Sequence, residues 1–273
     1  EYFNIRAMSE ICKNCSEEIV LNFCGNCGQK KAKRIDRNYI KDEIQYTVFH
    51  MNKGFLYSIK NILRAPGKTA REFIEGNRVN HYKPILLVFV VAGISAFLTN
   101  TLIHPDAIIT QYFESHNVKT AFDMKSYNSF VYKYQAILML ASVPFMAFFT
   151  WLAFKKWGYN YCENVVITAY SLIYLQVLSI LIVVPVQYFL KDNPELFMPI
   201  SSGITFLLMI CCFIWFYIDF YNNKSAGDVI LRLFLLMAIL VVLYIFVIII
   251  GIVGVIAYSL ITGADLKTIF PAP

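Results

Sequence analysis

Four cysteines near the start of the chain carry the one spacing in this sequence that specifies a chemistry. Cys12-x2-Cys15 is followed after eight residues by Cys24-x2-Cys27. Two such knuckles supply four thiolates able to close a tetrahedron around zinc, with Zn–S distances near ~2.3 Å. The residues between and after the cysteines suit tight turns: Lys13-Asn14, Gly25-Asn26 and then Gly28. An eight-residue spacer permits only a short hairpin, so a minimal zinc ribbon is expected over 8–30. Two thioredoxin-like redox pairs compete with this reading, but no βαβ pattern surrounds them. Four thiolates leave no open coordination position, so the Zn2+ is expected to be structural. So small a head cannot bury enough apolar surface alone and would draw its folding free energy from the metal.

Other chemistry is sparse. There is no G-x-x-x-x-G-K-[ST], G-x-S-x-G, H-E-x-x-H or EF-hand pattern. His50, His81, His104 and His116 are scattered along the chain. No catalytic residue is assigned, and an enzyme is not expected. Two glutamines, Gln176 and Gln187, fall inside an apolar stretch. They serve either as helix–helix hydrogen bonds or as the lining of a polar cavity.

The elements that must position these residues follow from composition. The 273 residues are 58% hydrophobic and only 15% charged, against about 25% charged in soluble domains. The charge is not evenly spread: residues 1–83 hold 15 of the 24 Lys and Arg. A small basic head therefore precedes a large apolar body. Residues 1–30 lack the apolar core and cleavage site of a signal peptide, and Met8 is a plausible natural start. Five stretches reach the roughly 20 apolar residues that a span needs: 84–103, 134–154, 165–190, 197–218 and 233–261. They lack strand-like alternation, and helices satisfy the backbone within lipid. The fold class expected is an all-α integral membrane protein with five transmembrane helices over 84–262. Pro144 and Pro185 are expected to kink their helices, and Cys162, Cys211 and Cys212 lie in or beside the spans.

Lys and Arg placement predicts orientation. With the head inside, 19 basic residues fall on that side and five on the other. The N-terminus is then cytoplasmic, and the 263–273 tail external. Residues 31–83 read as a basic, amphipathic interfacial segment. Ile40, Ile44, Val48, Met51 and Phe55 form one helical stripe, and Phe55, Leu56, Ile59, Ile62 and Leu63 a second. Pro66 ends the second stripe, and a short helix over 69–75 follows. These helices either lie on the membrane surface or form a lid on the bundle mouth. Lys30, Lys31, Lys33 and Arg34 suit anionic lipid headgroups, and no aromatic-interleaved groove supports nucleic-acid binding. Arg64, Lys68, Arg71 and Arg78 suit lipid, or an anion held at the helix N-terminus after Gly67. His81 and Tyr82 read as interface anchors, and Glu163 as a partner for the dipole of the third span. Asp219 and Asp228 are expected to pair with Arg232 or Lys224, Asp228 and Arg232 being four apart on one helix. Over 104–133, Phe113, Val118 and Phe122 suggest one interfacial helix.

Several of these stretches together resemble a known family. They are Phe23-Cys24-Gly25-Asn26-Cys27-Gly28-Gln29, Lys53-Gly54-Phe55-Leu56, Arg64-Ala65-Pro66-Gly67-Lys68, the run from Arg71 to Arg78, Tyr82-Lys83-Pro84 and, more faintly, the run from Tyr159 to Asn164. The chain is similar here to an uncharacterised family of bacterial inner-membrane proteins with an N-terminal zinc ribbon. The resemblance implies a bacterial inner-membrane location and no activity. In layout alone the chain also resembles the five-span Yip-type membrane proteins. The function expected is a non-enzymatic scaffold or accessory subunit that binds lipids and either a protein partner or further copies of itself. A channel or small-solute transporter is the alternative.

Overall fold

The computed structural model describes residues 10–20, 22–31, 34–39, 54–79, 81–116 and 124–262. Lys33, the stripe of Ile40, Ile44, Val48 and Met51, the Val118 and Phe122 positions, and the 263–273 tail lie outside them.

The head contains two short antiparallel strands, β1 (Glu10–Ile11) and β2 (Glu18–Ile19), with Glu10 opposite Ile19. A second, smaller hairpin closes through a bridge between Phe23 and Lys30. Helices α1 (Phe55–Arg64) and α2 (Pro66–Glu75) come next. Five helices long and apolar enough to cross a membrane follow: α3 (Pro84–Leu102), α6 (Gln135–Phe154), α7 (Tyr161–Leu190), α8 (Pro194–Phe220) and α9 (Ala226–Thr262). The protein is an all-α membrane protein with a small cysteine-rich head.

The spans are not equivalent. Over half of the apolar window of α7 (56%) is buried, against 12% for α9. Helix α7 is therefore the axis on which α3, α6 and α8 pack, and α9 is peripheral, touching α6 and α8. Tyr170, Ile173, Phe154, Phe216 and Tyr217 fill the centre. Helix α7 starts four residues before the expected span because Asn160 and Glu163 form a capping box. Polar residues at its first turn are thereby helical, which apolar periodicity alone does not register.

At the end far from the head, two helices replace the single one expected: α4 (Pro105–Ser115) and α5 (Met124–Lys133). Pro105 starts α4 at its N1 position. Ile103 and Ile108 pack there against Val184 and Phe197, and His116 lies 3.5 Å from Glu195.

Within the amphipathic segment, α1 and α2 pack on the bundle as a lid. Phe55, Ser58, Ile59 and Ile62 recur at helical spacing on the face of α1 turned to the core. Leu56 and Leu63, expected in the same stripe, are exposed on another face. Helix α2 packs on α7 and α8. A Cβ built on Gly67 would sit 2.2 Å from the Phe220 amide nitrogen and 2.5 Å from the Phe216 carbonyl oxygen. Asp219 accepts hydrogen bonds from the Gly67 and Lys68 amides, at 2.8 and 3.0 Å. In return, Arg71 donates to the Asp219 and Phe220 carbonyls, at 2.8 and 2.6 Å. The positive end of one helix thus meets the negative end of another, and each supplies the other's missing partners.

That geometry corrects two expectations. The anion at the N-terminus of α2 is the chain's own Asp219, which therefore is no partner for Arg232 or Lys224. Asp228 and Arg232 do not pair either. Asp228 accepts from the Ser225 hydroxyl at 2.8 Å. Arg232 donates to the Ala153 carbonyl at 2.6 Å and lies 4.4 Å from the Trp157 ring centre. A carbonyl in the last turn of α6 has no acceptor role within its own helix, and Arg232 meets it.

His81 is likewise no interface anchor. It is buried between Phe73 and Tyr57, with ring centres 6.3 and 5.2 Å away. Burial pushes its pKa down to about 4. Between that value and the ordinary ~6.5, the unfolded chain binds the proton and the folded one does not. Stability should therefore fall as pH drops from 6.5 towards 4, by at most about 1.4 kcal/mol per pH unit. His81→Phe should flatten that slope in thermal unfolding of the detergent-solubilised protein. In the same assay Gly67→Ala should cost about 1–3 kcal/mol through overpacking. Gly93→Ala, whose Cβ would meet nothing within 4 Å, should leave stability unchanged or raised.

Candidate metal centre

The two knuckles are built alike. Cys12 N–H donates to the Glu17 carbonyl and Ser16 N–H to the Cys12 carbonyl; Cys24 N–H donates to Gln29 and Gly28 N–H to Cys24. Ser16 and Gly28, each directly after a second cysteine, have positive φ of 62° and 73°. The left-handed turn suits glycine in one knuckle and is imposed on serine in the other.

This doubling converges the four sulfurs, which all lie within 4.8 Å of one another. The Cys12–Cys27 and Cys15–Cys24 Sγ atoms are 3.6 and 3.5 Å apart. A tetrahedron with Zn–S near ~2.3 Å has edges of roughly 3.8 Å, whereas a disulfide requires about 2.05 Å. All four are free thiols, and their donor set fits a metal ion. Cys12, Cys24 and Ile19 form the small buried core around them. The Asn14 side chain and the Gln29 backbone bring the Cys27 thiol down to about 6. The Glu17 backbone lowers that of Cys15, but burial and the three neighbouring sulfurs outweigh it and push it up to about 12. Four thiolates without a cation repel one another, and a bound cation removes that conflict.

The head docks on the membrane domain. Gln29, buried and immediately after Cys27-Gly28, donates through Nε2 to the Gly76 carbonyl at the left-handed C-cap of α2. Ile35 is fully buried, and its carbonyl accepts from Asn160 Nδ2 at 3.0 Å. Arg34 reaches the Glu163 carboxylate at 3.1 and 3.3 Å and the Gly158 carbonyl at 3.3 Å. The hydrogen bonds and charge of Glu163 hold the Arg34 pKa above its ordinary value. Arg34, Glu163, Trp157, Tyr159, Tyr221 and Lys224 border a cavity of about 250 Å³ at this seam.

The remaining candidates divide between internal contacts and open surface. Lys31 pairs with Glu10 at 3.5 Å and Lys68 with Glu72 at 3.8 Å. Arg78 donates to the Phe73 and Ile74 carbonyls and covers the Tyr39 ring at 4.6 Å. Lys30 and Arg64 are exposed. Gln176 and Gln187 are half-buried along α7, eleven residues apart, and do not meet. Sequence reasoning missed Gln29, Asn160 and the docking role of Asp219. The Asn160-x2-Glu163 spacing could have revealed the capping box. Nothing local marks the other two, since their partners lie 47 and about 150 residues away.

Residues 52–96 match the family described as "Protein of unknown function (DUF3667)". The matched stretch contains α1, α2 and the first two thirds of α3, including Gly67, Arg71 and Gly76. No curated protein and no solved structure matches the chain.

Removing the dock should be measurable apart from the metal. Asn160→Ala should cost about 1 kcal/mol through the lost cap. Combined with Gln29→Ala it should speed proteolytic cleavage between residues 31 and 54, with metal content unchanged.

Proposed function

We propose that the chain is a non-enzymatic membrane scaffold or accessory subunit. Its four cysteines hold a structural Zn2+, and its fixed ribbon presents a surface to a protein partner. Ile11, Val20 and Phe23 carry this reading: they are 65%, 68% and 57% exposed on the ribbon, outside every span. Three exposed apolar side chains on so small an element, outside every span, suit a protein contact. The docking of Gln29, Arg34 and Ile35 supports it further, because a surface held in place loses less entropy on binding. The resemblance to bacterial inner-membrane proteins and the Lys/Arg distribution favour a ribbon on the cytoplasmic face of that membrane.

A channel or small-solute transporter, formed by several copies, is the second reading. It draws on Gln176 and Gln187, half-buried in α7 with no hydrogen-bond partner among the described residues.

Purification in mild detergent should yield about one zinc per chain together with a stoichiometric partner. Ile11→Ser with Phe23→Ser should release the partner and keep the zinc; Cys12→Ser or Cys24→Ser should lose both. A metal-free protein would overturn the zinc assignment. Homo-oligomers that pass solute in liposomes, with no unlike subunit, would favour the transporter.

A further inference from the structure

A second cavity opens between the end of α6 and the start of α9, at the same end of the bundle as the ribbon. It is a surface groove of about 920 Å³, within the ~300–1,000 Å³ range of small-molecule sites. Its rim and its walls differ in chemistry. Lys155, Lys156 and Arg232 stand at the rim with one acid, Asp228. Lys156 has no partner among the described residues, and Lys155 lies 4.9 Å from the Trp151 ring centre. Arg232 uses one terminal nitrogen on Ala153 and leaves its others open.

The walls continue away from that rim. Leu152, Leu231, Phe234 and Leu235 line them, and each is substantially exposed although it sits in a membrane-spanning helix. From Arg232 to Ala238 the groove follows α9 for about 9 Å at ~1.5 Å per residue. The cations therefore cluster at the ends of two membrane-spanning helices, and an apolar trough runs from them along those spans. Positive-inside charge alone accounts for lysines in this loop, but not for their convergence on one apolar trough.

From this juxtaposition we infer that the α6–α9 groove binds one anionic phospholipid. Lys155, Lys156 and Arg232 hold the phosphate, and an acyl chain lies along Leu152, Leu231 and Phe234. Three cations against one carboxylate select a lipid of net negative charge over a zwitterionic one. Inorganic phosphate lacks the chain that the trough accommodates and should bind poorly. The groove shares Trp157 with the cavity at the head's seam, but no residue of the ribbon or lid lines it.

Native mass spectrometry of the full chain in mild detergent tests this, with phosphatidylglycerol or phosphatidylcholine titrated in. One phosphatidylglycerol should bind with clear preference. Each of Lys155→Gln and Lys156→Gln should weaken it about fivefold, the change that corresponds to ~1 kcal/mol per basic residue. Each of Lys133→Gln and Lys191→Gln, which removes equal charge at the other end, should leave binding unchanged. Ala238→Trp, which fills the trough without altering charge, should also displace the lipid; thermal unfolding of that variant checks that it is folded. Equal binding of the two lipids would overturn the assignment. So would equal losses from the two pairs of lysines, or displacement of phosphatidylglycerol by millimolar phosphate.

Discussion

The meeting of two helix ends, the start of α2 and the finish of α8, is the constraint on which the rest of the structure leans. Helix termini carry backbone groups with no partner inside the helix, and burying them unsatisfied is costly. Here Asp219 receives two amides from α2, and Arg71 donates to two carbonyls at the end of α8. Each charged side chain also faces the helix end of opposite sign. The exchange works only at van der Waals contact between backbones, which is why a residue without a Cβ stands at position 67. Proline at 66 fits the same logic, since it lacks the amide that would otherwise need a partner.

From that joint the lid is oriented and the ribbon follows. Helix α2 ends at Gly76, whose left-handed conformation turns the chain and leaves its carbonyl available to Gln29. Phe73 on the same helix is buried against Tyr170 of α7, with ring centres 5.7 Å apart. The head thus rests on backbone carbonyls at Gly76 and Gly158 and on side chains that cap α7. Arg34 and Glu163 add a charged pair, but the Arg34 side chain is 63% exposed. Solvent screening leaves such a pair modest, so the buried Gln29 and Ile35 contribute more to holding the head in place.

Apolar length made the five spans readable, and cysteine spacing made the metal centre readable, because both signals are local. Boundaries blurred where polar residues are helical, as at Tyr161 to Asn164, where a capping box rather than hydrophobicity starts the helix. Charged residues were the least legible. Arg71 and Arg78 belong to one basic cluster in sequence and Arg34 to another, yet each bonds carbonyls or a carboxylate of the chain itself. Their partners are backbone atoms or distant acids, and backbone partners leave no trace in residue type. The Pro66-Gly67 pair read as a break in helical pattern, when it is the first turn of α2. The groove between α6 and α9 was equally hidden, because its rim joins residues roughly 75 positions apart.

The peripheral position of α9 bears on the order in which the chain assembles. The described hydrogen bonds that seat the head and lid involve residues up to Tyr221, whereas α9 packs chiefly on α6 and α8. Domains made during synthesis fold from the N-terminal side as they emerge. The described contacts that join ribbon, lid and first four spans are thus encoded before the final helix, which adds Val229, Leu233 and Leu236 to the same core. Helix α9 is the element whose docking comes last in chain order, and Arg232 meets the Ala153 carbonyl there.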